Sequence, residues 1–169
     1  NHNGDRNILD EMVSAAAENG ADYAKIQSMH SSELTHRERF DKGLIEGGKV
    51  KIIKRPYKDE YDRLKKLDLE FEDHSLFLNL CKKYKIKPCT TIFSLSKIKM
   101  ISDLKFETVK IASFDCASHR LIEEITKCDF KHVIVSTGAT YNREIKKTAS
   151  DRKSTRLNSS HRCRMPSSA

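Results

Sequence analysis

The sequence has no tryptophan and only three prolines and six glycines in 169 residues, scarcities that exclude collagen-like and linker-like chains. Its five cysteines are an odd number without a C-x-x-C pair, which argues against a disulfide framework or a zinc ribbon. Reduced thiols in a cytoplasm fit that usage. No run approaches the roughly 18 apolar residues of a membrane span, so no membrane partner is expected. G-x-x-x-x-G-K-[ST], G-x-G-x-x-G and G-x-S-x-G are all missing, which leaves ATP-loop, dinucleotide and hydrolase-elbow readings without support. An initiator Met is lacking as well, so the true N-terminus is expected to lie upstream of Asn1. What is present, 37% hydrophobic and 33% charged residues, suffices to bury the core of one domain.

The net charge of +8 reads at first as a nucleic-acid or membrane-surface signal, but half of it lies in residues 151–169. In residues 1–150, Lys outnumbers Arg 20 to 7 and is interspersed with acids, the pattern of a solvated surface. No nucleic-acid partner is therefore expected of that part. The tail has no apolar periodicity and cannot bury enough area to offset its ordering entropy. Back-translated, it resembles a short-read sequencing adapter. Residues 1–150 are thus expected to form the domain, fused at Ser150 to a non-native, disordered tail; the rival reading is a basic tail that binds polyanions.

The remainder alternates helix-period and strand-like segments. Asp5 or Asn7 can cap a helix carrying Ile8, Leu9, Met12, Val13 and Ala16, stopped by Gly20. Strands are expected at 21–27, 86–93, 108–113 and 132–138. Helices are expected over 67–84, over 98–104, around Leu121 to Cys128, and from Asn142. Residues 28–68 are polar, with Gly47-Gly48 and Pro56 as breakers, and read as a functional loop or excursion. Strand and helix alternating at this spacing predict βα units and a parallel sheet, with strands buried on both faces.

Each expected strand carries polar residues toward its C-terminal end: Lys25 and Gln27, Thr90 and Thr91, Lys110 and Ser113, Ser136 and Thr137. That edge is where α/β sheets and barrels hold ligands. One such Lys can simply snorkel to solvent. Two on the same edge, accompanied by hydroxyls, point to an anionic ligand. Asp115 reads equally as a helix cap or as a site residue. Cys89 and Cys116 read as small buried hydrophobes, His2 has no second His at metal-ligand spacing, and His119 and His132 read as exposed helix and strand-start residues.

Taken in order, Asn1-His2-Asn3-Gly4, Gly20 to Gln27, Thr90 to Ser94, Lys110 to Ser113 and Ser136 to Ala139 with Glu144-Ile145 resemble the sialic acid synthase family, whose members make N-acetylneuraminate, legionaminate and pseudaminate. The resemblance implies a (β/α)8 TIM barrel, of which an incomplete piece of about strands 2–5 with their helices is present, since a whole barrel takes about 250 residues. It implies condensation of phosphoenolpyruvate with an N-acetylmannosamine-type hexosamine, giving a nine-carbon 2-keto sugar acid and phosphate. By this resemblance Lys25, Thr91, Lys110, Ser113 and Ser136 hold phosphoenolpyruvate and Gln27 shapes the same pocket. Asp115 stands where many relatives place a Glu near the sugar and metal, and is the expected catalytic group. Phe93-Ser94 replaces a commoner Phe-Asp and points to a legionaminate-like substrate. The family's Mn²⁺ or Mg²⁺ would belong to the full-length parent, with its His ligands downstream of Ser150 and a catalytic Glu upstream of Asn1. Residues 1–169 alone are accordingly expected not to turn over phosphoenolpyruvate and to expose unpaired sheet edges. Another phosphate-binding barrel, such as an aldolase, is the remaining alternative. An oligomer of the parent is compatible with the resemblance but not derivable from these residues.

Overall fold

The computed structural model describes residues 2–138, 141–143, 145 and 146; the expectations placed on 151–169, Ala139 and Glu144 lie outside the described residues. The described residues fall into two compact units, one holding the chain up to Ala24 together with Ser28–Lys87, the other Lys25–Gln27 together with Pro88 onward.

The first unit starts with helix α1, Arg6–Glu18, which begins where sequence logic places it. Asp5 accepts hydrogen bonds from the amides of Asn7 and Ile8, satisfying two donors that the first turn cannot pair itself. Leu9 and Val13, four apart, are its buried stripe. The chain leaves through Gly20 at φ +76 and enters β1, Tyr23–Ser28. Helix α1 lies against α4, Phe71–Lys83, which buries His74, Phe77, Leu80 and Cys81. Arg6–Asp73 at 2.8 Å and Lys83–Asp10 at 3.2 Å join the two helices at their exposed margins.

The excursion between them holds a 3-10 turn at Ser31–Glu33, α2 (Glu38–Lys42), the antiparallel ribbon of β2 (Leu44–Glu46) and β3 (Lys49–Ile52), and α3 (Tyr57–Lys65). Its base is clamped: the Ser31 amide and hydroxyl donate to Asp68 at 2.7 and 2.6 Å. Further out, Asp41 accepts from the Tyr57 amide at 2.9 Å and pairs with His36 at 2.6 Å.

Gly4 and Gly20 both hold left-handed backbone, at φ +80 and +76, but in different surroundings. A Cβ on Gly4 would overlap the Lys66 carbonyl oxygen, whereas one on Gly20 meets open space. Gly20→Ala is therefore expected to cost about 1 kcal/mol from the dihedral alone. Gly4→Ala is expected to cost at least about 2 kcal/mol more, because a backbone atom must move. Urea unfolding of both variants checks the order.

In the second unit, Lys25–Gln27 of β1 joins β4 (Lys87–Ile92), β5 (Thr108–Ile111) and β6 (His132–Val135) in one sheet of order β1-β4-β5-β6. The pairs β4–β5 and β5–β6 are parallel, connected through α5 (Leu95–Asp103) and α6 (His119–Thr126). Ile92, Ile101, Val109, Ile111 and Ile125 are wholly buried and form its core. The α/β class, parallel sheet and βα order thus follow the sequence. The Ile145 amide donates to the Tyr141 carbonyl at 3.1 Å, the first helical bond of the helix expected from Asn142.

One expectation needs correcting. The two outer strands are not buried on both faces: along β1, Ala24, Ile26 and Ser28 are buried while Tyr23, Lys25 and Gln27 are exposed. Along β6, Val133 is buried while His132 and Ile134 are exposed. A strand alternates its side chains with period two, so the second face is open along β1 and β6, whereas in β4 and β5 the expectation holds: Cys89, Thr90, Thr91 and Ile92 are buried, as are Thr108, Val109 and Ile111, with Lys110 half-buried. No described helix is long and apolar enough to cross a membrane.

Candidate functional site

Strand order and register position the lysines. In the parallel register Thr91 stands opposite Lys110, and Cys89 opposite Thr108, so these four share one side of the sheet. Lys25 belongs to the same cluster, since its ammonium interacts electrostatically with both Lys110 and Cys89. Gln27, two residues on, lies on the same side of β1 and is exposed.

Each group bears the mark of its neighbours. Lys25 is exposed as a residue, yet its ammonium is held below the usual lysine value, first by loss of hydration and then by repulsion from Lys110. Lys110 is half-buried in the middle of the sheet. The Thr91 hydroxyl is fully buried and has no hydrogen-bond partner among the described residues, whereas its neighbour Thr90 donates to the Ile26 carbonyl at 3.4 Å. A buried hydroxyl left unpaired costs about 1–3 kcal/mol, and such a group beside two cations signals an absent acceptor.

The turns after β5 and β6 bring the remaining hydroxyls. Ser113 and Asp115 sit in a 3-10 turn, Ser113–Asp115, directly after β5. The Ser136 amide donates to the Ile111 carbonyl at 3.1 Å, which fixes the end of β6 beside β5. Gly138 approaches Ser113 so closely that a Cβ there would stand 3.5 Å from the Ser113 oxygen. Ser113 and Ser136 are both half-buried.

Asp115 is not the cap of α6; Ser118 holds that position. The Asp115 carboxyl is raised above its ordinary value by burial, partly offset by a hydrogen bond from Ser118, and neither lysine contributes. It is thus set apart electrostatically from the lysine cluster. Sequence reasoning also missed how close Cys89 stands to both lysines. The signal was available, because Cys89 and Thr91 are two apart on one strand.

Burial pushes the Cys89 thiol up despite both lysines, and pushes Cys81 up to about 12. The thiolate is the reactive form, so neither is expected to be alkylated by iodoacetamide near neutral pH until the chain unfolds. A folded pKa above the unfolded value also means that this stability is complete below about pH 9 and is lost as pH rises toward about 12. Peptide mapping and alkaline unfolding check both statements.

Comparison with known proteins supplies the family. The NeuB family model matches residues 12–159. The chain is a member of the NeuB family. Among the curated NeuB-type relatives, N,N'-diacetyllegionaminic acid synthase of Campylobacter jejuni is 27% identical over 146 residues, covering 82% of this chain and 40% of that protein. Pseudaminic acid synthase of Helicobacter pylori is 28% identical over 145 residues, covering 86% and 41%. Among solved structures, the N-acetylneuraminic acid synthetase of Leptospira borgpetersenii, in complex with citrate, superposes with a TM-score of 0.74 at 25% identity, covering 94% of this chain and 50% of that one. This NeuB chain thus spans about two fifths to one half of the relatives it matches.

Among the described residues no three His, Cys, Asp or Glu side chains gather so as to hold a metal ion. The described residues do not fit the metal that the family resemblance implies.

Proposed function

We propose that this chain carries the phosphoenolpyruvate-holding part of a sialic-acid-type synthase, which joins phosphoenolpyruvate to an N-acetylated hexosamine to give a 2-keto sugar acid and phosphate. The observation that carries this reading is the unpaired, buried Thr91 hydroxyl opposite Lys110, with Lys25 in the same cluster. Phosphoenolpyruvate has a carboxylate and a phosphate, so two ammonium groups neutralise it and the hydroxyls of Thr91, Ser113 and Ser136 donate to its oxygens. Gln27 borders the same side of the pocket. In the condensation the enol carbon attacks the sugar aldehyde, water adds at the resulting cationic carbon, and phosphate departs with carbon–oxygen cleavage.

Asp115, with its raised pKa, suits proton delivery to the aldehyde oxygen as that oxygen becomes a hydroxyl. The four described cysteines are free thiols, which supports a reducing, cytoplasmic setting. The test is calorimetric titration of the chain with phosphoenolpyruvate. Saturable binding that Thr91→Val weakens supports the reading; absence of binding, or binding indifferent to that substitution, overturns it.

A further inference from the structure

We propose that Lys25 condenses with 2-oxo acids, its Nζ forming an imine with their keto carbon while Lys110 and the Thr91 hydroxyl hold their carboxylate. The inference rests on the anion-holding role proposed for this cluster and adds a covalent mode to it. It also concerns the reaction's own product class, since a 2-keto sugar acid is a 2-oxo acid.

Three features of the sheet carry it. First, imine formation needs an unprotonated amine, and a lysine beside a second cation is the arrangement that supplies one. For Lys25 partial loss of hydration acts first, and Lys110, two strands away in the sheet order, adds to it. Second, the cation that adds to the effect of lost hydration is the one placed to receive the reagent's carboxylate. Lys110 lies in register with Thr91, whose buried hydroxyl lacks an acceptor. Third, Lys25 is exposed, so a small carbonyl compound has access to it.

Other lysines are placed oppositely. Lys83 is held above its ordinary value by Tyr84 and then Asp10, and Lys127 by Glu124. Lys99 lies 2.6 Å from Asp103. The Lys83 and Lys127 amines therefore stay protonated and poorly nucleophilic.

The step balances without a further reactant. The Lys25 nitrogen lone pair attacks the keto carbon, the nitrogen gives up its two protons, and the carbonyl oxygen leaves with them as water. A C=N bond replaces the C=O bond, and nothing is oxidised or reduced. Borohydride added as a trap delivers hydride to the imine carbon, solvent protonates the nitrogen, and a stable secondary amine remains.

The experiment incubates the full chain with pyruvate and cyanoborohydride near neutral pH, then maps the adduct by peptide mass spectrometry. The expected product is Lys25 heavier by pyruvic acid less one oxygen, formed at least about tenfold faster than on any other lysine because the anion cradle raises the local concentration of reagent. Lys25→Arg should abolish the adduct, and Lys110→Ala should slow it to the rate of surface lysines. The wild-type map decides even if a variant fails to fold. Adducts spread evenly over exposed lysines, or concentrated on Lys110, overturn the inference. The same samples carry a phosphoenolpyruvate titration. Phosphoenolpyruvate that binds while no Lys25 adduct forms sinks this inference alone. A Lys25 adduct in a chain that does not bind phosphoenolpyruvate leaves it standing and removes the ligand proposed above.

Discussion

Lys110→Ala is expected to weaken phosphoenolpyruvate binding by about a hundredfold, the loss that follows when a desolvated, charge-assisted contact is deleted. Two effects act together. The substitution removes one of the two cations that neutralise the ligand, and it leaves Thr91 without its charged neighbour across the strand pair. A second consequence separates electrostatics from misfolding. Lys110 helps depress the Lys25 ammonium, so Lys25 should titrate at higher pH in the variant while far-ultraviolet dichroism stays unchanged. Lys127→Ala removes an exposed ammonium engaged by Glu124 and should leave binding untouched. Calorimetry on the three proteins, with a lysine-specific NMR titration, tests the set. Equal affinities for wild type and Lys110→Ala would falsify the proposed ligand arrangement.

Phe77→Ala should lower stability by about 3–5 kcal/mol, a large share of the 5–15 kcal/mol available to an ordinary domain. Phe77 is 1% exposed in α4, one turn from His74 and four residues before Cys81, both also buried. Truncation loses the transfer free energy of the ring and leaves a cavity. The surrounding residues collapse into it only partially. The wild-type ring also stands close to a buried polar pair. His74 donates from Nδ1 to the Glu70 carbonyl at 2.7 Å, and its Nε2 shares a hydrogen bond with the Ser28 hydroxyl at 2.8 Å. A void beside α4 loosens groups that have no water to turn to. Phe71, at the start of the same helix, is 50% exposed, and Phe71→Ala should stay within about 0.5 kcal/mol of wild type. Urea denaturation of both variants provides the contrast.

Much of this was legible in the residues, and the parts that were not share a cause. Helix α1 announces itself by the Asp5 cap, the Leu9–Val13 spacing and Gly20, because each of those signals is local. The ribbon β2–β3 and helix α3 escaped notice because neither buries a residue, so no burial rhythm is written into them. One clue was present. Gly47 and Gly48, both at positive φ, form the two-residue turn of a hairpin, and their dipeptide was read only as a breaker.

At the site, Lys25, Thr91 and Lys110 were identifiable as strand residues of one polarity. The common face of Thr91 and Lys110 follows from strand register, and the place of Lys25 beside them from sheet order, neither of which a single strand encodes. Asp115 was ambiguous between cap and site residue, because it ends a 3-10 turn and lies three residues before the Ser118 cap of α6, a spacing the sequence does not mark.

The clamp at the base of the excursion has a consequence for how this chain can change. Ser31 and Asp68 are 37 positions apart, and their two short hydrogen bonds hold together the ends of everything between them. Closing a loop costs free energy that grows only with the logarithm of its length, about 0.6 kcal/mol per doubling. Once the ends are pinned, residues added to or removed from the ribbon barely alter that cost. The stretch from Ser32 to Leu67 is therefore a place where lineages can lengthen, shorten or replace chain while Lys25, Thr91 and Lys110 keep their register.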